Sequence, residues 1–153
     1  MPGDRVPEKP LELAVHWRQL VNDWVTRQRR PYEVDASSVS LELEHPEAER
    51  KIRLVFTVTS NDMLLVMVTD DRYLTEDQLA LAAAAANAWN IEQLAPMLSV
   101  CNLDSSEQPP YLMGIQTLPL ACWATRSSFR TMADQWLHAS RGLFTWCHRS
   151  CRL

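Results

Sequence analysis

The sequence predicts a single α+β domain built in the order helix, three antiparallel strands, helix, two strands, helix. Three observations carry that prediction. Near the start, apolar residues recur every three or four positions; between Val39 and Thr59 they alternate with polar ones; from Met63 to Val68 every position is apolar. These are the periods of a helix, of strands with one wet face, and of a strand buried on both faces. Hairpin-type strands in succession, flanked by helices, argue against a doubly wound parallel sheet. The chain has 153 residues, 46% of them apolar and 22% charged, which is ordinary globular composition and enough to bury a core unaided. The domain is expected over residues 11–153, behind a flexible, Pro-punctuated leader at 1–10.

Each element has its own signal. Leu13, Trp17, Leu20, Val21, Trp24 and Val25 write one stripe on a first helix from about Leu11 to Arg29, with arginines in its last turn and Pro31 as its stop. Val39, Leu41 and Leu43 alternate with Ser40, Glu42 and Glu44 as an edge or near-edge strand. After the turn at His45–Pro46, Ile52, Leu54, Phe56 and Val58 mark a second strand, and Asn61–Asp62 leads tightly into the third, Met63 to Thr69. Asp70, Asp71 and Arg72 are expected to end it. Thr75 and Gln78 form a capping box for a second helix, whose run Ala82 to Ala86 favours close packing. Leu98, Val100 and Leu103 suggest a fourth strand, and Leu112 to Thr125 a fifth, interrupted at Pro119. Ser127 or Ser128 caps the last helix, where Phe129, Met132, Ala133, Trp136 and Leu137 share a side and Gly142 is a candidate break.

Charge and motif content remove several function classes. A net charge of −4 lacks the basic footprint of a nucleic-acid binder. Residues 1–10 have no apolar run for a secretory signal, and the apolar stretch Leu79 to Ala86 falls far short of a membrane span, so a cytoplasmic protein without membrane association is expected. Cys101, Cys122, Cys147 and Cys151 lack small-scaffold spacing, and reduced thiols are expected. There is no Gly-x-Ser-x-Gly elbow, and three glycines in all leave no phosphate-cradling loop, so neither catalysis nor a cofactor is expected. Cys147, His148 and Cys151, with His138 upstream, match neither zinc-ribbon nor haem-attachment spacing, and no metal is expected. His16 and His45 read as surface histidines, and Asp70–Asp71 as solvated acids at a helix start. Of six tryptophans, Trp17, Trp24 and Trp136 fall on buried stripes, whereas Trp123 and Trp146 are less constrained and are candidates to touch a partner.

The alanine-rich helix ends in Asn87-Ala88-Trp89-Asn90, and this Asn-x-Trp-Asn signature resembles that of the YbjN-type family of bacterial proteins. The likeness extends over most of the chain through the order of helices and strands. It implies a fold like that of the type III secretion chaperones, a chaperone-like, often dimeric domain labelled a sensory transduction regulator, and no catalytic residues to carry over. The Pro-rich leader and the basic, Cys-containing tail after Gly142 depart from it. Physically, Asn87 and Asn90 can adopt a left-handed conformation or bond the last helical carbonyls while Trp89 covers the turn, a structural role for all three.

The functional expectation is a non-catalytic module that binds a protein or peptide, acting as a homodimer. Leu64, Val66 and Val68 on one side of the third strand, with Trp123 and Trp146, are the candidate partner-binding residues, because covering both faces of that strand needs helices on two sides or a second chain. The alternatives are a thiol-dependent enzyme using Cys101 or Cys122, and a regulator that binds nucleic acid through its arginine-rich tail.

Overall fold

The computed structural model describes residues 6–153; the first five residues of the expected leader lie outside them. Residues 6–10 are exposed, and Glu8 among them accepts hydrogen bonds from the Ser127 amide (2.9 Å) and hydroxyl (2.7 Å).

The elements run β1 (Leu11–Glu12), α1 (Leu13–Val25), β2 (Tyr32–Val34), β3 (Ser38–Glu44), β4 (Lys51–Val58), β5 (Met63–Tyr73), α2 (Leu79–Glu92), β6 (Met97–Cys101), β7 (Tyr111–Pro119), β8 (Trp123–Ala124) and α3 (Arg126–Cys151). The α+β class and the main succession of helices and strands agree with the sequence reading. Six strands form one antiparallel sheet in the order β2-β3-β4-β5-β7-β6, and β1 pairs with β8 in a small separate ladder. β5, which carries the fully apolar run Met63–Val68, lies in the sheet interior. β6 lies at the edge, because β7, which follows it in the chain, folds back between it and β5.

The expected boundaries shift for local reasons. The first helix gives way to a 3-10 turn at Thr26–Gln28, and Arg29 ends it at φ 54°. β2 was not foreseen, since three exposed residues carry no burial pattern. The fifth strand divides at Pro119, where the Cys122 amide donates to the Pro119 carbonyl (3.0 Å) and turns the chain. The capping box at Thr75 and Gln78 forms as expected, although it opens a 3-10 turn that leads into α2. For α3 the cap is Thr125, which accepts from the Ser128 amide (3.0 Å), not Ser127 or Ser128. Gly142 does not break the last helix, and α3 runs without interruption for 26 residues.

Asp70–Arg72 do not end the sheet. β5 continues through them to Tyr73 with a register irregularity after Thr69, because both acids find partners: Asp70 pairs with Arg50, and Asp71 accepts from the Lys51 amide (3.0 Å).

The helices cover one face of the sheet. Val39, Leu41, Leu43, Ile52, Leu54, Phe56, Leu64, Val66, Val68 and Leu98 point into that core, where Trp24 and Trp136 pack on Phe56 with ring centroids 5.6 and 6.1 Å away. Gly114 is required there: a Cβ would stand 2.6 Å from Val68 and 2.7 Å from Leu143 of α3, so its absence lets the helix lie against the strand.

Candidate functional site

Alternation along the strands decides what remains accessible. Because Leu64, Val66 and Val68 share the parity of Leu54 and Phe56, they are buried under the helices, with no more than 2% of their surface exposed. These three residues are therefore core and cannot meet a partner; the expectation that they do is corrected. The opposite parity puts Met63, Leu65 and Met67 on the face that no helix covers, all of them half-buried. Pairing extends this row sideways: Met67 lies opposite Val55 on one side and Ile115 on the other, and Ile115 opposite Met97, which is exposed. Leu65 sits between Thr57 and Thr117. The result is a methionine-rich apolar stripe across four strands.

Towards β3 the same face becomes polar. Glu42 and Arg53 are cross-strand partners, Lys51 bonds Glu42 (3.2 Å) and Glu44 (2.5 Å), and a hollow of about 350 Å³ opens among Arg53, Asp71, Tyr73 and Tyr111. The two carboxylates raise the Lys51 pKa, its hydrogen bond to Glu44 contributing most. Lys51, Glu42 and Glu44 satisfy one another, whereas Arg53 has no ion-pair partner among the described residues.

The signature residues act as a brace rather than as a left-handed cap, since α2 remains helical through Glu92. The Trp89 indole N–H donates to the Pro96 carbonyl (2.8 Å), and its ring leans on Trp146 at 5.3 Å. The Asn90 amide donates to the Leu98 carbonyl (2.9 Å) while its oxygen accepts from the Leu98 amide (2.8 Å). Asn90 thereby pairs with the outer side of edge strand β6 as a neighbouring strand would. Asn87 is exposed and makes no side-chain hydrogen bond among the described residues. Trp123, on β8, is 63% exposed, and Trp146 is half-buried against Trp89.

A buried polar cluster joins the β3–β4 turn to the end of α3. His45 is 5% exposed, not a surface residue as its turn position suggested. Its Nδ1 accepts from the Glu47 amide (3.0 Å), which leaves the proton on Nε2 to donate to the Phe144 carbonyl (3.2 Å). Burial lowers its pKa, only partly offset by the bond to Phe144. Asp70, likewise not solvated, meets Arg50 at 3.4 Å, and Arg50 also donates to the Leu153 carbonyl (2.9 Å). Desolvation nevertheless outweighs Arg50 and raises the Asp70 carboxyl above its ordinary range.

The cysteines are free, and burial pushes Cys147 up to about 12 and Cys101 upward as well, which disfavours the nucleophilic thiolate at both. Among the described residues no group of three or more His, Cys, Asp or Glu is placed to hold a metal ion, and no helix is long and apolar enough to cross a membrane.

Alternation sets Met63, Leu65 and Met67 apart from Leu64, Val66 and Val68, but the sequence reading assigns the partner role to the wrong row, though a signal for the choice existed. Arg53 and Thr57 mark the wet side of β4, and antiparallel pairing transfers that side to Thr69 and Leu65.

No protein-family model matches the chain, and no curated protein matches it by sequence. Among solved structures the chain is similar to YbjN from E. coli, provisionally described as a transcription regulator, with a TM-score of 0.67 over 86% of this chain and 90% of that one. Sequence identity is 13%, so the likeness is one of fold. It is the fold that the Asn-x-Trp-Asn signature implied.

Proposed function

We propose that this chain is a non-catalytic, cytoplasmic binding module whose uncovered sheet face associates with a second copy of itself. The observation that carries the reading is the stripe of Met63, Leu65, Met67, Val55, Ile115 and Met97, apolar side chains on the sheet face away from the helices. Contiguous apolar surface of this kind marks an interaction site, and methionines suit a face that must repack against a partner.

A second copy is the occupant that best fits the surroundings. Two such faces stacked about a twofold axis bring the apolar stripe against itself and leave Glu42, Lys51 and Arg53 at a rim, where Lys51 already pairs with Glu42. The sheet edge is a poorer route, since Asn90 occupies β6 and β2 is only three residues long. The description of YbjN as a transcription regulator favours a regulatory role over a metabolic one, and here that role is part of the proposal.

Light scattering on eluted protein tests this directly. The native chain should elute as a dimer, and Leu65→Glu or Met67→Glu as a folded monomer. A monomer throughout, with no partner captured by cross-linking in lysate, removes the reading.

A further inference from the structure

On the opposite side of the molecule, a groove of about 530 Å³ follows the outward surface of α3, lined by Arg141, Gly142, Thr145, Trp146 and Arg149 with Pro46 of the β3–β4 turn as its wall. We propose that it binds an extended acidic peptide, one carboxylate on Arg141, a second on Arg149, and an apolar side chain between them against Trp146 and over Gly142.

Spacing supplies the first argument. The two arginines are eight positions apart on the helix, roughly 12 Å along the axis. In an extended chain, residues i and i+4 share a side and lie about 13 Å apart, with i+2 between them. A peptide with acids at i and i+4 and an apolar residue at i+2 therefore matches the groove.

The chemistry of the lining agrees. Arg149 already holds a carboxylate through two nitrogens: its Nε donates to Glu47 at 2.6 Å and its Nη2 to the other oxygen of Glu47. With that fork turned to Glu47, an incoming acid would take the remaining Nη1 and Nη2 hydrogens of the guanidinium. The Arg141 guanidinium has no hydrogen-bond or ion-pair partner among the described residues although it is half-buried. Asp134 is the sole acid on α3, and it accepts from the Trp24 indole (2.9 Å), so no carboxylate lines the groove; with Arg149 already neutralised by Glu47, its unpaired positive charge is that of Arg141.

Gly142 gives the third argument. It is exposed in the middle of a long helix, where glycine weakens the backbone, and a Cβ added there would meet nothing within 4 Å. No neighbour among the described residues requires its small size, whereas a ligand seated over it would. A polyanion such as nucleic acid fits less well, since two arginines and a histidine offer few phosphate contacts on a chain of net charge −4.

Fluorescence anisotropy with a labelled Glu-Ala-Leu-Ala-Glu peptide tests the proposal. Saturable binding is expected, weaker at high salt, weaker by at least about tenfold with Arg141→Glu, and abolished by Gly142→Leu, whose side chain fills the groove. Thermal melts by circular dichroism show that each variant is folded, and Arg141→Gln serves if the charge reversal is not. Equal binding of Lys-Ala-Leu-Ala-Lys overturns the proposal. So do unchanged binding by folded Gly142→Leu, no saturable binding by the native chain, or preference for a single-stranded oligonucleotide.

Discussion

Leu64 and Leu65 are chain neighbours with the same side chain, and the sheet sends one under the helices and the other to the uncovered face. The same division recurs at Asp70 and Asp71, and at His45 and Glu44: the first of each pair is enclosed on the helix side, the second exposed. Residue type alone thus says little about what a position contributes. Parity within the sheet decides whether an apolar side chain stabilises the fold or remains free to contact another chain, and whether a charge is structural or merely solvated.

The acidic pair should separate the two faces most widely. Asp70→Ala leaves Arg50 buried without its partner, and a loss of about 3–5 kcal/mol is expected in urea unfolding, against about 1 kcal/mol or less for Asp71→Ala. That contrast holds even though Asp70 is itself costly to ionise, because removing one member of an enclosed pair strands the other. Next come the leucines: Leu64→Ala should cost about 2–5 kcal/mol through lost burial and a residual cavity, and Leu65→Ala about 1 kcal/mol or less when measured on monomer. Similar losses at 64 and 65 would mean that the second face is covered too.

The smallest effect concerns pH. His45 has a folded pKa below the ordinary 6.5 because burial disfavours the imidazolium, and Nδ1 is committed to accepting from Glu47. The unfolded chain therefore takes up a proton that the folded one resists. Stability conferred by neutral His45 is intact above 6.5 and lost as pH falls from there through its lowered value. Asp70 acts oppositely and at lower pH, since its raised pKa lets the folded state gain protons first as acidity approaches 3.8. Urea midpoints at neutral and mildly acidic pH should fall further for the native chain than for His45→Gln. Parallel falls would place the acid sensitivity elsewhere.

The helices and main strands were legible in the sequence because their signals are local: the stripe of α1, the alternation of β3 and β4, and the capping box before α2. What lay beyond local pattern was lost. Asp70 looked like a strand terminator because Arg50 is twenty positions away, and His45 looked exposed because Phe144 is 99 residues distant. The candidate face was half legible. Met63 to Val68 announced burial on both sides, but choosing the uncovered side required pairing with Arg53 and Thr57. Gly142 was read as a break because glycine weakens helices, whereas the packing around α3 carries the helix through it.

The Asn90 amide, finally, has a bearing on how the protein behaves when crowded. An edge strand offers like copies a template on which to stack without limit, and insoluble growth begins at such templates. By presenting a donor and an acceptor to Leu98, one side chain impersonates the next strand and ends the series at β6.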